Sequence, residues 1–265
     1  MAMTIHEKLG RLARPPLAEA IFELRWELQP NQTDPAWQLL PGLCYGQLRD
    51  DFPAKFNLPA SNIPAQMTPY VVRQQFRPAA DKWPVIQLGP GILTVNHATG
   101  YTDWNSFLPV VRKALGVLND AFPDDTPFEP VHLELRYLNA VPYQFQKDHL
   151  LKFMKSNLHT TIQISPRPFD GERVSDGFDG FNLTLTFPTN KPKGTGQFLF
   201  ADGIHQGEPA VVWHMAIQSK ADHVPDKVGL FDCWLNDAHL LIEHWFVDLT
   251  QGPLLKSFKQ EVTHD

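Results

Sequence analysis

Four groups of residues in this chain have types and spacing that suggest chemistry. His132-Leu133-Glu134 carries the H-x-E half of a zinc deaminase site, where the histidine binds metal and the glutamate moves a proton. No P-C-x-x-C follows it, and Cys44 and Cys233 are far away, so the expectation is polar-face residues of a strand. His239 and Glu243 stand four apart, which on a helix places them on one side, able to share a metal or a proton. His244 points about 100° further round. The loop from Asp170-Gly171-Glu172 to Asp176-Gly177-Phe178-Asp179-Gly180 gathers the carboxylates calcium favours, but not at the spacing of a calcium loop, and Asp-Gly pairs are turn chemistry. Lys191-Pro192-Lys193-Gly194-Thr195-Gly196 is basic and glycine-rich yet lacks the G-K-[ST] order of a phosphate loop, and reads as a tight turn. G-x-S-x-G, H-E-x-x-H and a helix-opening G-x-G-x-x-G are all absent from the sequence. No catalytic residue, metal ligand or cofactor is therefore assigned, and the chain leans away from an enzyme.

The elements that would position such residues are legible from proline and from periodicity. The 24 prolines cluster where apolar patterns stop, as at Pro15-Pro16, Pro53 to Pro69 and Pro123 to Pro130, and so mark element boundaries. Ala20, Phe22, Leu24, Trp26 and Leu28 alternate with Glu19, Ile21, Glu23, Arg25 and Glu27, the period of a strand with one polar face. Asp34-Pro35 opens a helix that Pro41 and Gly42 split before Asp51. Residues 53–69 read as an irregular loop, followed by strands at Tyr70–Phe76, Val85–Leu88 and Ile92–Val95. The apolar stripe through Trp104, Phe107, Val111, Leu115, Leu118 and Phe122 predicts a helix over Asp103–Phe122. Val131 to Tyr137 alternates again, then come a short helix at Lys147–Leu158 and strands at Thr160–Ser165, Phe181–Phe187, Gln197–Phe200 and Ala210–Ser219. A last helix covers Asp226–Leu249 and stops at Gly252-Pro253. Helical spacing makes Trp104, Phe107, Trp234 and Trp245 core residues before anything else.

Composition narrows the classes further. At 265 residues, 43% hydrophobic and 20% charged, the chain reads as an ordinary soluble globular protein that needs neither disulfides nor metal to fold. Its net charge of −6 argues against nucleic acid, whose binding needs clustered Lys and Arg. Two cysteines fit a reducing compartment, Met1 to Arg14 holds no apolar core of signal-peptide length, and no long apolar run occurs. The expectation is a cytoplasmic protein with no membrane partner. The fold expected is one α+β domain over 1–265, with a mostly antiparallel sheet and helices on one face. Phe22-Glu23-Leu24-Arg25-Trp26 echoes Leu133-Glu134-Leu135-Arg136-Tyr137, so residues 15–127 and 128–250 are candidate internal repeats in a saddle-like or helix-grip-like arrangement.

Arg14-Pro15-Pro16-Leu17-Ala18-Glu19-Ala20-Ile21-Phe22-Glu23-Leu24-Arg25-Trp26 resembles the opening signature of an uncharacterised bacterial family of about this length, sporadically distributed among genomes. Tyr101-Thr102-Asp103-Trp104-Asn105-Ser106-Phe107 is similar to its Tyr-x-x-Trp-x-x-Phe element, Leu135-Arg136-Tyr137-Leu138-Asn139 to its Leu-Arg-Tyr-x-Asn element, and Asp237-Ala238-His239 through Phe246 to its closing helix. The resemblance spans nearly the whole chain in order. It implies no activity, cofactor or catalytic residue. The family's patchy distribution resembles that of accessory operons such as toxin–antitoxin or phage-defence cassettes.

What remains is a surface. With apolar residues on one side of each strand, Glu23, Arg25, Arg73, Glu134, Arg136 and Thr184 are expected on the other, together with Glu19, Glu27, Gln75 and His132. Glu23 with Arg25, and Glu134 with Arg136, are two apart on that face and able to pair. Three readings stand at this point. The first is a non-enzymatic binding or regulatory protein that recognises a partner protein or ligand through an open polar sheet face, the partner encoded nearby. The second is a metal-dependent or hydrolytic enzyme built on His239 and Glu243 or on the acidic loop. The third is a nucleic-acid-binding module, ranked last by charge.

Overall fold

The alternating segment near the start of the chain forms β1 (Leu17–Trp26), and its phase organises the sheet. Ala20, Phe22, Leu24 and Trp26 are buried on one side, while Glu19, Ile21, Glu23 and Arg25 take the other. The computed structural model describes residues 12–28, 36–123, 128–144, 149–165, 180–226 and 228–259; Asp34-Pro35 and all of the acidic loop but Gly180 lie outside them. The further strands are β2 (Ala54–Asn57), β3 (Gln74–Arg77), β4 (Val85–Gly89), β5 (Ile92–His97), β6 (Pro130–Pro142), β7 (Asn182–Asn190), β8 (Lys193–His205) and β9 (Glu208–Lys220). They form one nine-stranded sheet in the order β2-β3-β4-β5-β1-β6-β9-β8-β7, antiparallel at every pairing. Outward from the central β1–β6 pair, β5, β4 and β3 on one side match β9, β8 and β7 on the other.

Five helices lie among the described residues: α1 (Leu40–Leu48), α2 (Trp104–Ala121), α3 (Leu150–Asn157), α4 (Phe231–Thr250) and α5 (Pro253–Lys259). The protein is α+β, and these helices join the face that carries Phe22 and Leu24 in a single core. Tyr45 of α1 stacks on Phe76, Trp234 of α4 donates from Nε1 to Ser219 Oγ at 2.8 Å, and Trp245 packs edge-on against Phe187 and Phe198. Asp103 caps α2: its Oδ1 accepts from Ser106 N at 2.9 Å, while Ser106 Oγ accepts from Asp103 N, a capping box that fixes where the helix begins. None of the described helices is long and apolar enough to cross a membrane.

Several boundaries differ from expectation for local reasons. The loop expected over residues 53–69 contains β2, which pairs with β3. The strand expected from Tyr70 begins at Gln74, because Tyr70 takes a left-handed backbone (φ 59°) and gives its N–H to Pro90 O. Thr160–Ser165 forms no strand: Thr160 stays attached to the end of α3, its N–H donating to Met154 O and its hydroxyl to Leu158 O. Beyond Thr250, Gly252 turns at φ 98°, a conformation glycine adopts freely, and Pro253 starts α5, which the sequence pattern did not separate from α4.

Candidate functional site

Strand register sets the uncovered face in rows. Gln87, Thr94, Glu23, Glu134, Gln218 and Thr195 run across it from β4 to β8. On one side of that row lie Arg25, His132 and Lys220, and on the other Asn96, Ile21, Arg136 and Gln197. Glu23 and Glu134 therefore face each other directly across the β1–β6 pair, an arrangement that destabilises unless counter-charge is supplied. Arg25 Nε donates to Glu23 Oε1 at 2.6 Å, and Arg136 Nη1 lies 3.3 Å from Glu134 Oε1. The carboxylate side chains are 14% and 15% exposed against 40% and 33% for Arg25 and Arg136, so the anions are sunk and the cations lie outermost.

Burial sets the ionisation of this cluster. It raises the Glu134 carboxyl above its ordinary range, with the Arg136 charge opposing the shift. It lowers His132 to about 4, helped by the positive charges of Arg25 and Lys220, so His132 is neutral near pH 7. His132 Nε2 lies 3.6 Å from Glu23 Oε1 and 3.8 Å from Glu134 Oε2, outside hydrogen-bond range. Since Arg25 and Arg136 already supply positive charge to both carboxylates, the group is an ion-pair network. Among the described residues, no set of three or more His, Cys, Asp or Glu is arranged to hold a metal.

The other residues expected on this face divide. Thr184 is exposed on β7 and its hydroxyl donates to Asn182 Oδ1 at 3.3 Å. Glu19 accepts from Asn96 Nδ2 at 2.8 Å, and the Arg25 guanidinium sits 5.6 Å from the Tyr70 ring. Arg73 is not part of the open surface. It precedes β3, is buried, and its Nη2 donates to Ile63 O and to Thr68 Oγ1, so it ties down the 58–70 segment instead of facing a partner.

On the helix-covered side, His239 and Glu243 line a pocket of about 390 Å³ at one end of the sheet. Its walls come from Pro15, Pro16 and Leu17, from the approach to α2 at Tyr101 to Asn105, from Tyr137 and Asn139 of β6, and from α4. Tyr137 is buried and its hydroxyl lies 2.9 Å from His239 Nδ1, while Trp104 stacks on the His239 ring at 4.4 Å. The Tyr101 ring lies edge-on beside that of Tyr137, with centroids 6.3 Å apart. Burial, with the Glu243 charge close to both, pushes the two phenols well above their ordinary range and keeps them protonated. His244, by contrast, is exposed and 3.9 Å from Asp248.

Tyr101, Tyr137 and Asn139 stand out in the sequence only as positions of the Tyr-x-x-Trp-x-x-Phe and Leu-Arg-Tyr-x-Asn segments, with no role assigned. A signal was present: continuing the period of Leu133, Leu135 and Tyr137 puts Asn139, a polar residue, on the covered side, and the stripe of α4 puts His239 there as well. The segments 14–26, 101–107, 135–139 and 237–246 each contribute to this pocket.

The fold and these two regions define an α+β protein whose sheet has one face packed under helices and one that none of the described helices covers. Compared with known proteins, the chain matches no family model and no curated sequence.

Proposed function

We propose that this chain is a non-enzymatic binding protein of the bacterial cytoplasm that docks an acidic segment of a partner protein on its open sheet face. The observation that carries this reading is the vertical order of charge at the β1–β6 centre: Glu23 and Glu134 below, Arg25 and Arg136 above. A molecule approaching the centre of this face meets Arg25 and Arg136 first, extended by the exposed Lys220 and Lys193 at one end and flanked by the exposed Glu27, although the whole chain carries a net −6. Around them, hydroxyls and amides such as Thr184, Thr195 and Gln197 offer short-range hydrogen bonding without long side chains to order. The sunk carboxylates oppose the dense charge of a phosphate backbone, which favours a protein over nucleic acid. If the chain sits in an accessory operon, the product of an adjacent gene is the first candidate.

The test is co-expression with the products of adjacent genes, followed by affinity measurement on the purified complex. A stoichiometric complex that Arg136→Glu and Thr184→Glu each weaken by tenfold or more (about 1.4 kcal/mol), while Lys155→Glu on the helix side leaves it intact, supports the reading. A complex indifferent to both face variants contradicts it. So does salt-dependent binding of DNA or RNA to this face in place of a protein.

A further inference from the structure

The pocket between β6 and the start of α2 is independent of the open face, and one of its side chains sets what an occupant must bring. We infer that it is a binding site for an uncharged aromatic carbonyl compound whose oxygen accepts a hydrogen bond from Asn139.

Asn139 lies on β6, opposite Trp213 of β9, and is only 2% exposed. Its side chain lines the pocket, and among the described residues nothing accepts from its Nδ2. An amide nitrogen only donates, so what is missing is an acceptor. The polar groups around it are already engaged. The Tyr137 hydroxyl meets His239 Nδ1 at 2.9 Å, Trp104 Nε1 donates to Asn236 Oδ1 at 3.3 Å, and the Asp103 carboxylate takes the N–H of Ser106. Trp213, the strand partner of Asn139, adds a second fully buried N–H that has no acceptor among the described residues. Donors are therefore in excess here. Turning the Asn139 amide over exchanges its two ends but leaves the same N–H groups to be satisfied.

Neither sign of charge suits the space. The lining residues include no Lys or Arg to balance a carboxylate or a phosphate, and the N-terminus of α2 is closed by its own Asp103 cap. An ammonium group is itself a donor and leaves the Asn139 nitrogen as it was. A neutral carbonyl oxygen brings two lone pairs and no charge to desolvate. The rest of the occupant is set by the walls. Tyr101, Trp104, Tyr137 and Phe246 offer ring surface, with Leu17 and Met215 beside them, against which a flat aromatic ring packs offset or edge-on. At about 390 Å³ the pocket is at the lower end of the range of small-molecule sites, the size of one ring with a short carbonyl arm.

Three probes of one skeleton differ only in the polar group: 2-phenylacetamide, sodium phenylacetate and 2-phenylethylammonium chloride. Each is titrated into the full-length protein by calorimetry, while NMR follows the Asn139 side-chain NH2 and the Trp104 indole N–H. The expected result is saturable binding of phenylacetamide, about tenfold tighter than either charged probe, with both signals shifted. Asn139→Leu keeps the size and removes the donor. It should weaken phenylacetamide about tenfold and leave the charged probes where they were. Preference for either charged probe, equal binding of all three, no saturable binding of any, or unchanged phenylacetamide affinity in Asn139→Leu overturns the inference. If that variant fails to fold, the ranking of the three probes on the native protein and the response of the Asn139 NH2 signal still decide.

Discussion

On the open face Glu23 and Glu134 lie side by side with Arg25 and Arg136 turned over them. Beneath the helices, the Tyr137 hydroxyl meets His239 Nδ1, with Tyr101 beside it, next to a cavity that also holds an Asn139 Nδ2 without a hydrogen-bond partner among the described residues. Both regions use strand β6, and adjacent residues of that strand, Arg136 and Tyr137, belong to opposite ones. The difference lies in how each region satisfies its polar groups. On the open face each carboxylate is held by a guanidinium that is itself a third or more exposed, so water partly replaces that cation when it is removed. On the covered face water is excluded, so each polar group depends on a specific neighbour, and one that lacks it marks a place built for something else.

That contrast can be broken or sharpened by measurement. The largest effect is expected from Leu135→Ala, which empties a fully buried site under the helices and should cost about 2–5 kcal/mol in urea unfolding. Next comes acid. His132 is held at about 4, below its ordinary value, so the unfolded chain takes up its proton first as pH falls. The stability this group supports is complete above about pH 6.5 and is lost between there and about pH 4, on the order of 3 kcal/mol at most. Glu134 works the other way, because its raised carboxyl takes a proton in the folded state first and offsets part of the loss. His132→Gln should therefore flatten the stability–pH curve in that window, and an unchanged curve would remove His132 from the account.

Tyr137→Phe deletes only the hydroxyl that meets His239 Nδ1 and should cost about 1–3 kcal/mol by thermal or urea unfolding, since it leaves a buried partner short of a bond. Asp103→Ala removes the side-chain half of the capping box and should cost about 0.5–2 kcal/mol, read as earlier melting of the protein. The smallest effect is expected beside the largest: Arg136→Ala, one residue from Leu135, should change stability by no more than about 1 kcal/mol. Were Arg136→Ala to cost as much as Leu135→Ala, the two faces would not differ in the way described.

The period of two in β1, β6 and β9 exposed the sheet and the phase of both faces, because burial acts on every second residue whatever the tertiary detail. The stripe from Trp104 to Leu118 did the same for α2. β2 was not legible: Ala54–Asn57 is short, lies at the sheet edge and is mostly exposed, so no burial pattern is written into it. The burial of Arg73 was not legible either, since it depends on the 58–70 segment folding back over it. The pairing of Glu23 with Arg25 and of Glu134 with Arg136 could be anticipated from spacing alone. Which of each pair lies deeper could not, because that follows from how neighbouring strands crowd the shorter side chain. His239 and Glu243 were visible as a pair four apart, but Tyr101 and Asn139 join them only through packing across more than a hundred residues of chain.

The measurement that bears most directly on the docking surface is phenylglyoxal labelling of arginines with and without the partner, read by mass spectrometry. Arg112, on the helix side and about half exposed, serves as the internal reference. The account predicts that Arg25 and Arg136 label in the free protein and become protected in the complex while Arg112 labels equally in both. Protection of Arg112 with unchanged labelling of Arg25 and Arg136 would place the partner on the helices and contradict it.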